Sequence, residues 1–567
     1  MNQATPSALP SLRLPPSTLF IGLLALAYAL PGLFGHAPWK PEDAIGVGIV
    51  HQMLEHGRWL IPHLAGEPYL DDGPLYYWVA ALLAKLSSFA LDMDDGARLA
   101  SALAVFGTWF FLRDAARELH GRTQADGAML VLLGCLGLLV HAHEAMAELG
   151  LLAGLALAWH GIALAPRKPH KGGIALGLGL LIAFLCKGFA GISAPILTAL
   201  AVVTISGHWR TGAFAVSLCE ALGVLVLPCV LWLLLAGNQG GVWLIAQWSI
   251  YSLPSAQGGA YYFKVLTWAA WPAWPVALWL LWDRRDQLSR PGILLPVLAT
   301  VFSLGVLLCQ REMREVHALP LLLPLALLAG AGVERLRRGA SNALAWFGAI
   351  VFSFFGALVW LGWFAMLTGF PPRIARNFEK LEPGHVASFG VIGFTVALLL
   401  SVAWIFILWR SERSVYRSVL YWACGATLVW GLVMTLWLSW IDYGKSYQPV
   451  AQSLSAALRK AAPSGAYCIQ SSNLGESQRA ALDYHAGIMT RRMELNDSGV
   501  SARSNEVSER SNAGQQAVRC ALLLVQARPD DDDRQWSSQW RRVWEGSRPR
   551  DHERYRLYVR VAAKNTR

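Results

Sequence analysis

Two acidic pairs lie in the segment that follows the first apolar run of the chain, and their residue types suit catalysis. The first pair is Glu42 and Asp43, just past the edge of that run. A carboxylate at membrane depth is costly to maintain, so its presence suggests a function. Either residue could act as a general base or bind a hydroxyl group of a substrate. Both could instead open a helix that runs to Glu55, because acids stabilise a helix N-terminus.

The second acidic pair, Asp71 and Asp72, precedes Gly73-Pro74, which is typical of a turn. Two adjacent carboxylates could also hold a divalent cation, although no third ligand follows at a clear spacing. A divalent metal therefore stays open as a cofactor, and none is assigned. His141 and His143 beside Glu144 raise the same question, but two His in one interfacial loop are more often plain polar residues.

Cations lie at the ends of later apolar runs. Lys187 follows the run 182–186, where its ammonium could reach the headgroups or bind a lipid phosphate. Arg314 precedes another run and could clamp a phosphate through two hydrogen bonds, with Glu315 fixing its guanidinium; the two could also simply end a helix as an ion pair. Glu148 begins an apolar helix, where it either complements the helix dipole or contacts a substrate.

The composition places these residues in a membrane protein. The chain has 567 residues, of which 55% are hydrophobic and only 15% charged, and it carries 26 Trp. A soluble protein of this length needs more charge to cover its surface, and Trp is enriched at membrane boundaries. The net charge of +11 comes largely from short basic loops between apolar runs. That distribution indicates the positive-inside pattern and argues against nucleic-acid binding.

Thirteen apolar runs are long enough to cross a bilayer, and the first is expected to be a retained helix. They lie near residues 17–35, 97–112, 126–142, 147–165, 173–187, 190–206, 213–236, 263–282, 292–309, 317–334, 341–368, 387–409 and 416–440. A further run, 75–90, opens with aromatic residues and contains Lys85. Treating it as an interfacial or re-entrant helix puts every basic loop on the cytoplasmic side, so we predict that it does not cross.

The same arrangement gathers a second set of residues on the periplasmic side. It comprises Glu42, Asp43, Asp71, Asp72, Glu144, Glu148, Lys187, the segment 243–262 with Tyr261 and Tyr262, and the segment 311–317 with Arg314 and Glu315. Acids, cations and aromatic residues therefore meet on one face of one membrane. We predict that they form a single site.

The composition becomes polar beyond Asp442. Helical patterns at 446–461 and 476–485 alternate with strand patterns at 466–470, 519–526 and 555–563, and 498–516 is a polar loop. These patterns predict a small α/β domain over residues 442–567. Six of the eight cysteines lie in or beside apolar runs, whereas Cys468 and Cys520 fall in this domain. If the domain is periplasmic, a disulfide between them is compatible with that compartment.

Several motifs together resemble one known family. They are Trp39-Lys40-Pro41-Glu42-Asp43, Gly57-x-Trp59-x-x-Pro62, Asp71-x-x-Pro74-Leu75-x-Tyr77-Trp78, Leu185-Cys186-Lys187-Gly188, Arg314-Glu315-Val316-His317-Ala318-Leu319-Pro320 and Ile441-Asp442-x-x-Lys445-Ser446. In this order they resemble the GT-C glycosyltransferases, in the branch with the 4-amino-4-deoxy-L-arabinose lipid A transferases and the dolichyl-phosphate-mannose protein mannosyltransferases. Asp72 and Gly73 depart from the family, which has lysine and proline there.

The resemblance implies a polytopic α-helical GT-C protein with a transmembrane domain over 1–441, a first periplasmic loop over 36–96 and a periplasmic α/β domain over 442–567. It implies transfer of a sugar from a polyprenyl-phosphate carrier to a lipid or protein acceptor at the periplasmic face of a bacterial inner membrane. By position Glu42 and Asp43 would be catalytic. The residues expected to bind substrate are Asp71, Asp72, Tyr77, Glu148, Lys187, Tyr261, Tyr262, Arg314 and Glu315.

Two other classes of function stay open at this point. A transporter or flippase would show repeats and polar residues at mid-membrane, whereas the ionisable residues here gather at one face. A relative that binds lipid-linked sugars without catalysis is the other alternative, because Asp72 and Gly73 alter the expected phosphate site.

Overall fold

The computed structural model describes residues 18–237, 245–246, 248, 259–310, 312–411, 414–462, 468–493, 520–531, 539–549 and 551–561. The helices of the transmembrane region are α1 (Thr18–Ala29), α2 (Glu42–His56), α3 (Leu75–Ser87), α4 (Met93–His120), α5 (Arg122–Gly134), α6 (Leu136–His141), α7 (Ala147–Leu164), α8 (Pro169–Ile205), α9 (Gly212–Ala236), α10 (Gly259–Ala269), α11 (Ala273–Asp283), α12 (Pro291–Leu308), α13 (Leu322–Val333), α14 (Arg338–Thr368), α15 (Pro372–Leu381), α16 (Val391–Arg410) and α17 (Arg417–Leu436). Two 3₁₀ helices, Arg285–Gln287 and Glu315–Leu321, precede α12 and α13.

Most of these helices are apolar enough to cross a membrane. Within the described ranges nine helical segments meet that requirement, and there are ten if α10 and α11, bent by 95° relative to each other, are counted as one span. The predicted crossing at 17–35 corresponds to the short helix α1, and the one at 126–142 to α5 and α6, which are separated at Cys135. The chain is therefore a multi-pass helical membrane protein, as predicted.

Helix α8 supplies two crossings because it folds back on itself. Its backbone leaves the helical conformation at Lys187 and Gly188, where Gly188 has φ 56°. In a continuous helix residues 183 and 191 would be about 12 Å apart along the axis. Instead, a Cβ on Gly191 would clash with the carbonyl oxygen of Ala183. The arms 169–186 and 189–205 thus run antiparallel and match the two predicted crossings at 173–187 and 190–206.

The bundle has two chemically different ends. At one end, here called the basic end, the basic loops meet: Arg167 pairs with Glu118 at 2.5 Å, and Arg417 donates to Asn342 at 2.9 Å. Trp209 reaches the same end, where its indole nitrogen donates to the carbonyl of Ile162 at 2.9 Å. The opposite end, here called the site end, carries the predicted acids and the apex of α8.

Helices α2 and α3 belong to the site end. Helix α2 begins after Pro41 with both acids in its first turn, and Gly57 ends it with a φ of 66°. A short β-hairpin follows, with strands β1 (His63–Leu64) and β2 (Glu67–Pro68). Helix α3 has only 13 residues and lies against the start of α4, where the hydroxyls of Tyr76 and Ser101 are 2.7 Å apart. Like α1, this helix is shorter than the described helices that can span alone, and its interfacial role stays a prediction.

The C-terminal region forms a small α/β unit, as predicted. It contains α18 (Leu438–Lys445), α19 (Gln448–Ala461), β3 (Ile469–Ser472), α20 (Glu476–Ala486), β4 (Arg491–Arg492), β5 (Leu522–Ala527), β6 (Trp540–Gly546) and β7 (Arg554–Arg560). The strand order is β4-β3-β5-β7-β6, parallel across β4, β3 and β5 and antiparallel across β5, β7 and β6. The strand patterns did not predict β4 and β6. The predicted loop 498–516 lies outside the described residues, and Cys468 and Cys520 are joined by a disulfide.

Candidate active site

Lys187, at the apex of α8, is held between two carboxylates. Its ammonium forms an ion pair with Asp72 and another with Glu148, whose Oε1 lies 2.6 Å from Nζ. The three side chains are only 12%, 5% and 3% exposed, respectively. A buried carboxylate needs such a partner, because leaving it uncompensated costs several kcal/mol. The first loop, α7 and α8 are therefore tied together at this lysine.

The Asp72-Gly73 departure has a clear structural basis. The amide of Gly73 donates to the carbonyl of Cys186 at 2.8 Å, and a Cβ at position 73 would clash with the carbonyl oxygen of Leu185. Only glycine allows this close approach. The approach places Asp72 against Lys187, and the hydroxyl of Tyr77 donates to the other Asp72 oxygen at 2.6 Å. Tyr77 thus orients Asp72 within the predicted site.

Arg314 lies in a second cluster of opposite charges. Its guanidinium is 3.5 Å from Glu42, 3.6 Å from Asp71 and 3.9 Å from Glu476, and its Nε donates to Glu312 at 3.0 Å. The expected partner was Glu315. That expectation is wrong, because Glu315 is exposed and forms none of the described ion pairs of Arg314. The backbone enters a 3₁₀ turn at Glu315, which directs Glu312 to the guanidinium in its place.

Glu42 and Asp43 face different surroundings. Glu42 reaches Arg314, whereas Asp43 pairs with the buried guanidinium of Arg98 at 2.9 Å. Asp43 also accepts hydrogen bonds from the amides of Ala145 at 2.8 Å and Trp39 at 3.2 Å, and it is 1% exposed. With these donors Asp43 fixes the loop before α7. Of the two acids predicted to be catalytic, only Glu42 faces the cluster around Arg314.

The tyrosines of the segment 243–262 lie at the edge of the site. The hydroxyl of Tyr262 donates to the carbonyl of Glu312 at 3.1 Å, which anchors the loop that carries Arg314. Tyr261 is partly exposed and stacks edge-on against Tyr262. Residues 243–244, 247 and 249–258 of that segment, like Arg311, lie outside the described residues.

The candidate metal ligands do not converge. Asp71 and Asp72 turn to different cations, Arg314 and Lys187. The Nδ1 of His141 lies 2.7 Å from Glu144, while His143 stacks between Tyr28 and Trp430. Within the described ranges no group of three or more His, Cys, Asp or Glu side chains is arranged to hold a metal ion.

A cleft opens beside the two cations. Its upper part is lined by charged and polar side chains: Asp71, Glu148, Lys187, Glu312, Arg314 and His317. Its lower part is apolar and follows three helices, through Leu151 and Leu155 of α7, Ala190 and Ala194 of α8, and Val306 and Leu307 of α12. The cleft therefore suits a molecule with an anionic head and an apolar chain.

Burial and neighbouring charges change the protonation of the acids outside the membrane-spanning helices. Burial, and then the charge of Glu148, raise the pKa of Glu42 to about 8, although Arg314 and Lys187 oppose this. Burial, and then Asp72 and Glu476, raise the pKa of Asp71 to about 6. Asp43 behaves oppositely, because Arg98 lowers its pKa even though burial alone would raise it. The pKa values of Glu42 and Asp71 therefore lie closer to neutrality than those of ordinary carboxyl groups.

Three residues of this arrangement were not predicted from the sequence. Arg98 interrupts the predicted span 97–112, and an arginine in an apolar helix is a signal for a buried partner. Glu312 lies inside the predicted segment 311–317 but was not singled out. Glu476 belongs to the C-terminal unit, and only the tertiary fold brings it near Arg314.

Comparison with known proteins places this architecture in a class: the chain is a multi-pass membrane protein with the GT-C fold. The crystal structure of ArnT from Cupriavidus metallidurans bound to undecaprenyl phosphate superposes with a TM-score of 0.66 at 19% identity, covering 96% of this chain and 98% of that one. No protein-family model matches the chain.

Two curated relatives resemble the chain in sequence. An undecaprenyl phosphate-alpha-4-amino-4-deoxy-L-arabinose arabinosyl transferase of Pseudomonas aeruginosa is 29% identical over 348 residues, which are 58% of this chain and 61% of that protein. The protein of the same name from Edwardsiella ictaluri is 26% identical over 441 residues, 73% of this chain and 74% of that protein. The match thus spans about six tenths of the Pseudomonas protein.

Proposed function

We propose that the protein transfers a sugar from a polyprenyl-phosphate carrier to an acceptor at the site end of the bundle. The observation that carries this proposal is the shape and chemistry of the cleft: two cations lie at its mouth, and an apolar groove descends between three helices. A polyprenyl phosphate has the matching form, with a phosphate head and an apolar chain. The names of the two relatives specify such a carrier for those proteins.

Lys187 and Arg314 would stabilise the leaving phosphate. As the bond between C1 of the sugar and the phosphate oxygen breaks, positive charge develops on the sugar and negative charge on the phosphate. Fixed cations in a partly dry cleft stabilise that charge more strongly than water does. Both cations are paired with carboxylates in the structure, so an arriving phosphate would compete with Asp72, Glu148 and the acids around Arg314.

Protonation of the acids would ease that competition. Three cations, Lys187, Arg314 and Arg492, share the site with six carboxylates, namely Glu42, Asp71, Asp72, Glu148, Glu312 and Glu476. The raised pKa of Asp71 means that this acid can take up a proton when an anion binds. In the transfer step, ionised Glu42 would orient the acceptor or accept its proton while the new bond to C1 forms.

The excess of carboxylates over cations also indicates which kind of sugar the site would bind. The sugar named for both relatives is 4-amino-4-deoxy-L-arabinose, which carries an amine. A site with more carboxylates than cations suits a sugar with an ammonium group, so we propose an amino sugar of this kind. Lipid A, another glycolipid or a protein would serve as the acceptor.

The proposal also fixes an orientation. The basic loops meet at one end, and the positive-inside rule assigns that end to the cytoplasm of a bacterial inner membrane. The site, and the unit 442–567 that follows the domain 1–441, would then face the periplasm. A reporter enzyme fused after Tyr443 should be active only in the periplasm; activity in the cytoplasm would overturn this topology.

Mass spectrometry of lipid A and envelope glycans tests the activity. We expect one glycoform to disappear on gene deletion and in Glu42→Gln, and to persist in His170→Gln. His170 is a control at the opposite end of the bundle, where its Nδ1 lies 2.5 Å from Glu220. An unchanged glycan profile on deletion would refute the transferase, whereas full activity of Glu42→Gln would refute only the assigned site.

A further inference from the structure

Helix α15 is a short amphipathic helix at the edge of the bundle. It connects α14 to α16, both of which are predominantly exposed, as expected for helices that face lipid. Since α14 ends and α16 begins at the site end, α15 must lie where the membrane surface meets water. Its position is therefore that of an interfacial helix.

The apolar face of α15 is occupied by the protein itself. The ring of Phe378 packs edge-on against Trp437 and Trp440, with centroids 5.1 Å away in both cases. The indole of Trp440 also donates to the carbonyl of Phe378 at 3.4 Å. These contacts fix which side of the helix faces outward.

The outward face is basic. Arg373, Arg376 and Lys380 are all exposed and follow one another at spacings of three and four residues, so they form one stripe. Among the described residues none of the three forms an ion pair, and the Nε of Arg376 donates only to the carbonyl of Pro372. Glu379 is the one acid on the helix and the partly buried Glu382 follows it, so the segment 369–390 carries three cations against two acids.

Exposed apolar residues flank the stripe on both sides. Phe370 precedes the helix and is 64% exposed, while Leu381, Val386 and Phe389 follow it at 46%, 86% and 54%. Large apolar side chains beside a basic stripe are the pattern by which amphipathic segments insert at a headgroup boundary. The apolar residues would enter the acyl region, and the cations would remain level with the phosphates.

We propose that the segment 369–390 binds the anionic phospholipids of the leaflet at the site end, with Arg373, Arg376 and Lys380 contacting their phosphates. The inference is independent of the proposed function, since it depends on the charge and position of α15 alone. The bound lipid is a headgroup of the surrounding bilayer. The site formed by Lys187 and Arg314 belongs to a different part of the molecule.

Native mass spectrometry of the full-length protein, released from nanodiscs of phosphatidylglycerol and phosphatidylethanolamine in equal parts, tests this inference. We expect Arg373→Gln/Arg376→Gln/Lys380→Gln to lower retained phosphatidylglycerol at least fivefold, since one such charge near an anionic surface contributes roughly a fivefold change. Retained phosphatidylethanolamine should not change. The control, Arg459→Gln/Lys460→Gln/Arg541→Gln, removes three exposed cations from the C-terminal unit and should retain both lipids.

The possible outcomes separate clearly. Wild-type retention of phosphatidylglycerol by the α15 variant, or equal loss in the control, overturns the proposal. If the triple variant is not monodisperse, Arg373→Gln/Lys380→Gln answers the same question, because both side chains are exposed. Retention in Arg373→Lys/Arg376→Lys would show that charge, more than guanidinium geometry, binds the lipid.

Discussion

Lys187 and Glu148 lie on neighbouring helices with 2.6 Å between Nζ and Oε1, and both side chains are nearly inaccessible to water. The pair fixes the apex of α8 against the start of α7, while Asp72 holds the same ammonium from the first loop. A single cation therefore joins three segments that are distant in the sequence. The contribution of Lys187 to stability can be measured separately from its proposed binding of a phosphate.

Replacing Lys187 by Met should impair both stability and transfer. The change leaves Asp72 and Glu148 buried without a counter-charge, so the free energy of unfolding should fall by about 3–5 kcal/mol. Adding Glu148→Gln removes one of those charges and should restore part of the stability but none of the transfer. Unfolding in detergent and single-turnover transfer measure the two effects. Recovery of transfer in the double variant would contradict a phosphate-binding role.

Glu42 and Asp43 should differ sharply when each is neutralised. Glu42→Gln should lower turnover by about 10²–10⁴-fold, the usual range for loss of a general base, with little loss of stability. Asp43→Asn weakens the partner of buried Arg98, so the principal effect should be on the unfolding free energy, by up to about 3–5 kcal/mol. Thermal unfolding alongside turnover distinguishes them. If Asp43→Asn is stable but inactive, Asp43 takes part in catalysis and the assignment to Glu42 alone is wrong.

Turnover should rise with pH through about 8. Burial raises the pKa of Glu42 to about 8, and a base acts only when ionised. The rising limb should be absent from the residual activity of Glu42→Gln. A profile that falls above pH 8 instead would mean that the protonated acid is the active form.

The same shift predicts a pH dependence of stability. From the ordinary pKa of 4.5 up to about 8, the folded protein holds a proton on Glu42 that the unfolded chain releases. Stability relative to Glu42→Gln should therefore decrease as pH rises through that window. Unfolding midpoints of the two proteins at pH 5 and pH 9 check the sign.

Restoring the lysine that the resemblance leads one to expect at position 72 should be harmful. Asp72→Lys would place a second ammonium beside Lys187 and remove one of its partners. Like charges at this distance in a buried site repel strongly, so we expect lower stability and no gain in transfer. Asp72→Asn is the milder control. A stable, more active Asp72→Lys would show that the phosphate site can follow the pattern of the family.

The transmembrane fold was predictable because apolar length and basic loops carry most of the information. Even the hairpin of α8 was anticipated, since the apolar pattern breaks at Lys187-Gly188. The sequence predicted most residues of the site, but it did not predict which acid pairs with which cation. Asp72 and Lys187 are 115 positions apart, and Glu312 replaced Glu315 through a local turn. Arg98 and Glu476 were missed because their partners become visible only when the chain is folded.

The apolar groove is short. Each of its three walls runs over eight residues, from Glu148 to Leu155, from Lys187 to Ala194 and from Ser303 to Gln310. At 1.5 Å per residue, each wall measures about 10 Å. A long carrier chain would contact the protein only near its phosphate, and the remainder would lie among the acyl chains of the bilayer. Carriers that differ only in their distal isoprenoid units would thus be equivalent substrates, and selectivity would depend on the head of the molecule.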